Sequence, residues 1–418
     1  MASTVSRPSS YDPNSPNEAL VTLPNAPLVT LSANAVLQPP LTRRGVGPGM
    51  IVFLPPIGRQ RFELSTRSES EKPLDPEPVQ KWAEEGFAVV GVTASTEIGA
   101  WSIDDAFTRG VDALLELKEL DIKDKVAVVV NDTVIVVDVQ EAAAKHEKIA
   151  AIVVYASEVT ATPFRVKPTL LHLASTSAPR SQLEDATANV QTAVYPVDSP
   201  YFVLPHATTY HAALQGKAHS RSCKFLKETV GGPYFDIEAV WEEHTYFEFE
   251  LRSVAKTMGT MVAEPYVNHV PTMTGGIGRK ALTAFYRDHF IFSNPPDTVL
   301  KDISRTVGSD RVVDEFIFCC TFTKHIDWLL PGVPPTGKRL EVPMMGVINI
   351  RGDRLYHEHI WWDNATVLKQ AGVLPDMVPF DPATASLLPV AGSESATLLA
   401  DETSVPVNQM LGPEYGVH

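Results

Sequence analysis

The chain has 418 residues, of which 44% are apolar and 20% charged, so it is long enough to form two domains with buried cores. Its net charge of −15 argues against nucleic-acid binding, because contacts with phosphates need a basic surface. We expect a cytoplasmic protein without a membrane segment, since no run approaches the roughly 20 apolar residues of a span and the first residues lack a signal core. The three cysteines are too few for a disulfide framework, which fits a reducing compartment.

The first half of the chain alternates short apolar runs with helical segments. Residues 1–44 are rich in Ser, Pro, Asn and Thr without a period, so we expect an irregular leader. After it we predict strands at 50–54, 87–92, 126–130, 150–155 and 169–173, and helices at 78–85, 104–120 and 215–230. This alternation predicts an α/β domain over 45–232, with a parallel sheet covered by helices on both faces.

The second half places helices before strands. We predict helices at 235–258 and 279–290, a strand at 263–269, a glycine-rich turn at 275–278, and long strands at 311–323, 339–351 and 354–362. This order predicts an α+β domain over 238–375, with a cavity between its helices and its antiparallel sheet. The Pro- and Ser-rich residues 376–418 are expected to form a C-terminal tail.

Residues 45–232 resemble the dienelactone hydrolase branch of the α/β-hydrolases. The resemblance depends on the glycine turn at 45–49, on the segment at 82–90 and on the closing helix at 222–227. It implies a parallel-sheet domain with a nucleophile in a G-x-C-x-G or G-x-S-x-G elbow between a strand and a helix.

This sequence departs from that pattern at the elbow. The segment 131–135 contains no Gly, Ser or Cys, and 174–178 contains no carboxylate where the family has its acid. His206 or His211 would then have no partner to activate. We therefore expect a scaffold that has lost its nucleophile; a residual ligand cleft and an unusual role for Asp132 as nucleophile remain open.

Histidines and tryptophans are concentrated in the second half. Six of the twelve histidines and four of the six tryptophans lie between 238 and 375. Because side chains alternate along a strand, the segment 356–363 has two different faces. One face carries His357, His359, Trp361 and Asp363; the other carries Glu358, Ile360 and Trp362. Two imidazoles and a carboxylate on an aromatic face are suited to proton transfer near neutral pH.

Residues 238–375 also resemble the SnoaL-like polyketide cyclases of the NTF2-like superfamily. The matching segments are the turn and helix at 275–290, the turn at 334–337, and the closing 359–363 and 368–372. The resemblance implies a cone-shaped fold, a homodimer, no cofactor, and proton-transfer chemistry such as cyclisation, isomerisation, dehydration or epoxide opening. A hydrolase-like half fused before such a domain is similar to fungal proteins of secondary metabolism.

The resemblance implies that Asp363 is the general acid/base and that His325 assists it. His357, His359 and Trp361 would then position the substrate and stabilise an enolate or oxyanion. We further expect substrate contacts from four residues nearby: Tyr266, His269, Asp327 and Trp328.

Each of these residues has a simpler alternative. Asp363 is also well placed to cap a helix that starts at Asn364, and His325 is well placed to lie on the surface. The residues His325, Asp327, His357 and His359 also form a ligand set that suits zinc or iron.

The sequence as a whole predicts an inactive α/β-hydrolase-like domain followed by a SnoaL-like enzyme domain. We expect the second domain to act on a polyketide-like or aromatic small molecule as a cofactor-free cyclase, isomerase or lyase. Two alternatives stay open: a lactone or ester hydrolase that uses the first domain, and a binding module without catalysis.

Overall fold

A computed structural model of the chain describes residues 7–56, 73–95, 97–157, 166–176, 189–377 and 390–400. The chain divides into two compact units. One consists of Pro24–Phe235, and the other combines Met1–Leu23 with Asp236–His418. Among the described helices, none is long and apolar enough to cross a membrane.

The first unit contains an eight-stranded mixed sheet in the order β1-β2-β4-β3-β5-β6-β7-β8. The strands are β1 (Val29–Ser32), β2 (Ala35–Gln38), β3 (Gly49–Leu54), β4 (Ala88–Thr93), β5 (Val126–Val130), β6 (Ile149–Ala156), β7 (Thr169–Ala174) and β8 (Val190–Tyr195). Strand β2 runs antiparallel to β1 and β4, and β3 to β8 are parallel. The predicted parallel sheet therefore forms the larger part of this mixed sheet.

Helices cover both faces of this sheet, which explains the uninterrupted apolar runs of its strands. They are α1 (Pro78–Glu84), α2 (Ile103–Glu116), α3 (Val136–Ala144) and α4 (Ala212–Leu226). Successive residues of β3 belong to different cores: Ile51 to the one that contains Phe107 of α2, and Met50 to the one that contains Trp82 of α1 and Leu226 of α4. The strands β1, β2 and β8 and the helix α3 are additional to the predicted elements; β1 and β2 lie within the expected irregular leader.

The turn after β5 is where the resemblance places a nucleophile. Asn131 and Asp132 are buried there, and the Asp132 carboxylate accepts a hydrogen bond from the Val134 amide at 3.1 Å. The two candidate histidines have other partners: Nδ1 of His206 lies 2.8 Å from the Glu77 carboxylate, and His211 caps α4. Residues 177 and 178, part of the expected acid position, lie outside the described residues.

The second unit contains a six-stranded sheet in the order β10-β9-β14-β13-β12-β11. The strands are β9 (Met261–His269), β10 (Thr274–Ile277), β11 (Val299–Val307), β12 (Arg311–Thr321), β13 (Arg339–Arg351) and β14 (Arg354–Trp362). All neighbours are antiparallel except β9 and β14, which are parallel. Strand β10 replaces the predicted glycine turn, and the polar edge strand β11 was not predicted from the sequence.

Five helices accompany this sheet in the described residues: α5 (Ile237–Thr245), α6 (Val254–Gly259), α7 (Gly278–Phe285), α8 (Asn364–Gln370) and α9 (Glu394–Ala400). The predicted helix at 235–258 is therefore two helices: α5 continues as a π-helical turn over Tyr246–Glu250, and the chain leaves the helical conformation at 251–253 before α6 begins. Helix α5 packs on the sheet face that carries Phe316 and Phe318. On the opposite face, Ala396 of α9 packs on Ile317 and Cys319.

Candidate active site

A cavity lies between α5 and the sheet of the second unit. Its wall is mainly aromatic and aliphatic, and its titratable members are Glu248, His269 and Glu358. Thr245, Phe249 and Leu300 are its half-exposed residues. Its remaining lining residues are Trp241, Phe290, Phe316, Phe318, Trp328, Met344 and Ile360. The cavity measures about 30 Å³, which accommodates about two water molecules. A substrate must therefore displace side chains to enter fully.

Two neighbouring strands place functional groups in this cavity. On β14, Glu358, Ile360 and Trp362 are buried on the side of the helices. Strand β9 runs parallel to β14, with Ile360 opposite His269. Glu358 and His269 therefore enter the cavity from the same face of the sheet, two positions apart along it.

His244 of α5 connects Glu358 to a second carboxylate. Its Nε2 lies 3.0 Å from Oε1 of Glu248 and 3.0 Å from Oε1 of Glu358. The Tyr286 hydroxyl lies 3.2 Å from the same nitrogen and donates to Glu358 at 3.3 Å. On the other side of the ring, Nδ1 lies 2.6 Å from the Thr260 hydroxyl. Each of these side chains is at least 95% buried, so the cluster is shielded from bulk water.

The two glutamates determine the charge of His244. Burial alone would keep its imidazole neutral, but the attraction and hydrogen bonds of Glu248 and Glu358 outweigh burial and raise its pKa to about 10. Burial raises the pKa of Glu248, which favours its carboxylic acid form. The imidazolium lies between the two carboxyl groups and offsets their negative charge, which limits the cost of burying the cluster.

Burial and the two nearby carboxylates raise the pKa of Tyr286 well above its usual value, so its hydroxyl remains a hydrogen-bond donor. Thr260 donates its hydroxyl to the Thr257 carbonyl at 2.7 Å. It therefore accepts from Nδ1 of His244, and this contact fixes the orientation of the imidazole ring. Both residues hold the acid–base cluster in place without lining the cavity themselves.

His269 provides a neutral imidazole. Burial lowers its pKa to about 3, and Phe290 and Trp328 surround its ring at centroid distances of 5.3 and 4.9 Å. Thr274 donates its hydroxyl to the Trp328 carbonyl at 3.1 Å, so it accepts from Nδ1 of His269 at 3.4 Å. The proton of the imidazole is therefore on Nδ1, and the Nε2 lone pair is available to accept a hydrogen bond from a ligand.

This part of the chain has a recognisable family. Residues 241–371 match the family described as SnoaL-like polyketide cyclase. These residues form a SnoaL-like domain. The match covers fewer than half of the 418 residues, so it describes the domain and not the whole chain. The α+β fold predicted for this half is confirmed, and the cavity and its acid–base cluster lie within the SnoaL-like domain.

Several solved structures are similar to this domain. A protein from Jannaschia sp. CCS1, described as a SnoaL-like polyketide cyclase, is 18% identical; the match covers 34% of this chain and 99% of that protein, with a TM-score of 0.28. A protein of ketosteroid isomerase-like fold from Catenulispora acidiphila is 16% identical over 35% of this chain and 100% of that one, with a TM-score of 0.25. An NTF2-like protein from Burkholderia thailandensis is 14% identical over 33% of this chain and 96% of that one, with a TM-score of 0.25. Among curated proteins, none matches the chain significantly.

Several predicted residues lie on the outer face of the SnoaL-like sheet, away from the cavity. The His357 and His359 rings stack at 4.7 Å, and Tyr266 lies 5.3 Å from His359. Trp361 is 46% exposed on the same face. Burial and the charge of Arg311 lower the pKa of His359. The structure thus brings these predicted residues together, but on the face opposite to Glu358.

The predicted pair Asp363 and His325 lies outside the cavity lining. Asp363 is exposed and is the N-cap of α8; its carboxylate accepts from the amides of Ala365 and Thr366 at 3.1 and 3.2 Å. His325 is exposed in the loop between β12 and β13. Asp327, in the same loop, lies 3.3 Å from His289. The contacts of Asp363 are those of the capping alternative, and its catalytic role stays a prediction.

Two of the predicted substrate contacts do line the cavity of the SnoaL-like domain, namely His269 and Trp328. Trp328 is almost fully buried, and its indole donates to the Asn294 side chain at 3.0 Å. The residues that sequence reasoning missed are His244, Glu248 and Glu358. A signal for them existed: His244 and Glu248 are spaced i, i+4 beside Trp241, and Glu358 is a charged residue on the apolar face of its strand.

The predicted metal set is not assembled among the described residues. In the described part of the chain, two groups of potential ligands have their ligand atoms close together. Neither group contains His325, Asp327, His357 or His359. One group is His244, Glu248 and Glu358, whose ligand atoms lie within 4.8 Å of one another. Two carboxylates and an imidazole also suit a divalent metal, so a test of acid–base chemistry here must include a chelator.

Proposed function

We propose that the SnoaL-like domain is a cofactor-free enzyme that moves protons on a small molecule, in the manner of an isomerase or cyclase. The observation that supports this most strongly is the pair of carboxyl groups that line one apolar cavity. Glu248 and Glu358 share the buried His244, and burial favours the acid form of one of them. Unequal protonation of two such groups is how one site provides both an acid and a base.

In the proposed reaction Glu358 is the base and Glu248 the acid. The Glu358 carboxylate takes a proton from a carbon next to a substrate carbonyl, and the Glu248 hydroxyl donates a hydrogen bond to the carbonyl oxygen. Charge then develops on an enolate that the acid and the nearby imidazolium stabilise. Return of the proton to another carbon gives an isomer; attack of the enolate carbon on a second carbonyl of the same molecule gives a ring.

The cavity wall supports an aromatic or polyketide-like substrate. Phe290, Phe316, Phe318 and Trp328 provide flat apolar surfaces, while the Nε2 lone pair of His269 accepts from a substrate hydroxyl. Because the cavity is small, a ring system must enter by displacing the half-exposed Phe249 and Leu300. We therefore expect planar substrates with a hydroxyl and a carbonyl group.

The first prediction compares the cavity glutamate with the aspartate expected from the sequence. Glu358→Gln should lower turnover of a panel of polyketide-like ketones by about 10²–10⁴-fold, since it removes the base. It should also abolish deuterium uptake into the substrate from D2O. The matched variant Asp363→Asn, which keeps an acceptor for the helix cap, should leave both measurements near the wild-type values.

The opposite effects of these substitutions on turnover would support the catalytic residues expected from the sequence. If Asp363→Asn and His325→Ala abolish turnover while Glu358→Gln keeps it, the catalytic pair is Asp363 and His325. A parallel measurement with a chelator separates the metal alternative. Loss of turnover with the chelator, its return with added metal, and failure of His244→Ala to retain that metal would make His244, Glu248 and Glu358 ligands in place of an acid–base cluster.

For the first unit we infer a scaffold of α/β-hydrolase type without its nucleophile. The strand order supports this, because one crossover beside an antiparallel second strand is the arrangement of α/β-hydrolase sheets. The buried Asn131 and Asp132 after β5 support it too, since neither residue is a usual ester-cleaving nucleophile. Labelling of this unit by a serine-directed covalent inhibitor would contradict the inference. The homodimer, the cytoplasmic location and the link to fungal secondary metabolism remain predictions.

A further inference from the structure

A second group of buried ligand-type side chains lies in the first unit. Glu85 directly follows α1, and His219 and Cys223 lie one turn apart on the same side of α4. Nε2 of His219 is 2.8 Å from Oε1 of Glu85 and 3.4 Å from Sγ of Cys223. The three ligand atoms lie within 4.8 Å of one another. A carboxylate, an imidazole and a thiol thus converge on one point.

The spacing of these atoms is close to that of a metal site. Zinc binds cysteine sulfur at about 2.3 Å and histidine nitrogen or carboxylate oxygen at about 2.0–2.2 Å, so tetrahedral ligands stand about 3.4–3.6 Å apart. The nitrogen–sulfur distance of 3.4 Å already has this value. The nitrogen–oxygen distance of 2.8 Å is that of a hydrogen bond and would have to open by about 0.6 Å on metal binding.

The surroundings hold these groups in position. Glu85 is 1% exposed and Cys223 is fully buried, and the Trp82 ring packs on the His219 ring at 4.8 Å. Trp82 and Cys223 belong to the core on one face of the first sheet. The rotamers of all three ligands are therefore restricted, and little conformational entropy remains to be lost on metal binding. Such preorganisation favours a structural metal site.

Charge also favours a divalent cation. In the absence of metal, the Lys227 ammonium, 3.7 Å from the second carboxylate oxygen, is a nearby counter-charge for Glu85. A carboxylate and a thiolate together balance a dication, and cysteine binds metal only as the thiolate. Metal binding would therefore release the thiol proton of Cys223, move the His219 proton from Nε2 to Nδ1, and compete with Lys227 for Glu85.

We propose that Glu85, His219 and Cys223 bind a transition metal ion of the zinc class that links the end of α1 to α4. The three side chains would occupy three of the four tetrahedral positions and a water molecule the fourth. The role is structural, because the ligands are buried beside the core that these two helices share with the sheet. Metal ligation would thus stabilise the first unit, independently of the proposed acid–base chemistry in the SnoaL-like domain. Since thiolate is required, binding should weaken as the pH falls.

The test is a titration of the metal-free full-length protein with Co²⁺, followed by absorption. We expect one equivalent to bind with a sulfur-to-cobalt charge-transfer band, which Zn²⁺ then removes by displacement. Cys223→Ser should eliminate the band, and His219→Ala should weaken binding of Co²⁺ at least tenfold. Thermal unfolding should show that Zn²⁺ raises the midpoint of the wild-type protein and not that of His219→Ala.

The matched control variants change other potential metal ligands of the chain. Cys319→Ser changes a different buried cysteine, and His244→Ala changes the other ligand cluster. Both variants should keep the charge-transfer band, and both should bind Co²⁺ at least tenfold more tightly than His219→Ala does. The proposal is overturned by a wild-type titration without the band, or by a band that survives Cys223→Ser or disappears in His244→Ala. Far-ultraviolet circular dichroism of each variant shows that loss of binding is not loss of folding.

Discussion

Protonation of His244 affects the stability of the SnoaL-like domain. Its pKa of about 10 in the folded chain exceeds the ordinary value of 6.5, because Glu248 and Glu358 hold the proton. The folded state therefore binds this proton more tightly than the unfolded state. The resulting stabilisation is complete below pH 6.5 and is lost as the pH rises towards 10.

We therefore expect the free energy of unfolding of this domain to fall between pH 7 and pH 10, by at most about 1.4 kcal/mol per pH unit for one proton. In His244→Gln the slope should be clearly smaller, although the variant is less stable at pH 7. Urea unfolding at four pH values, followed by tryptophan fluorescence, measures both slopes. The exposed His289 provides the control His289→Gln, and equal slopes in wild type and His244→Gln would refute the assignment of charge.

Helix α8 depends at its start on Asp363. The carboxylate accepts from two backbone amides and from the Thr366 hydroxyl at 2.6 Å. Asp363→Ala should therefore destabilise the SnoaL-like domain by about 1 kcal/mol, whereas Asp363→Asn, which keeps an acceptor, should cost less. Urea unfolding of the two variants gives this difference. A cost near zero for Asp363→Ala, combined with lost turnover in both variants, would instead assign Asp363 to catalysis.

At the level of single elements, the sequence predicts the alternation of β14 but not its orientation. The division into His357, His359 and Trp361 against Glu358 and Trp362 is present in the structure. The covering helices decide which face is internal, and a strand's own pattern is ambiguous when both faces carry aromatic residues. The histidine-rich face is the more conspicuous in the sequence, and it faces away from α5.

Some predicted helices and strands differ from the observed ones for another reason. The predicted helix at 235–258 has no proline, but after the π-helical turn at Tyr246–Glu250 it is interrupted at Arg252, whose φ of 50° ends a helix. Strand β11 was missed because its sequence is mostly polar, as expected for an exposed edge strand paired on one side only. Both features depend on tertiary contacts, which a local pattern does not contain.

At the scale of the whole molecule, one of the two units is built from two separate segments of the chain. The N-terminal Met1–Leu23 belongs to the same unit as Asp236–His418. The Glu18 carboxylate accepts from the amides of Val254 and Ala255, both at 2.9 Å, at the start of α6. The Asn17 carbonyl accepts from the Ser253 hydroxyl at 2.7 Å. A segment rich in Ser, Pro and Asn without a period carries no sequence signal for such docking, so its partner was not predictable.

Removal of residues 1–23 should therefore destabilise the SnoaL-like domain and leave the first unit unchanged. The deletion exposes the first amides of α6 and removes the packing of Val21 against Gly259, where a Cβ atom would lie 2.6 Å from the valine side chain. We expect faster hydrogen exchange at Val254 and Ala255, and a loss of about 1 kcal/mol or more from the missing cap.

Glu18→Gln is the matched point variant and should show part of the effect at the same amides. Hydrogen exchange followed by mass spectrometry resolves the two units in one experiment, because peptides of β3 to β6 report on the first and peptides of α6 on the second. Equal protection of α6 in the deletion and the full chain would show that the N-terminal segment does not stabilise the domain.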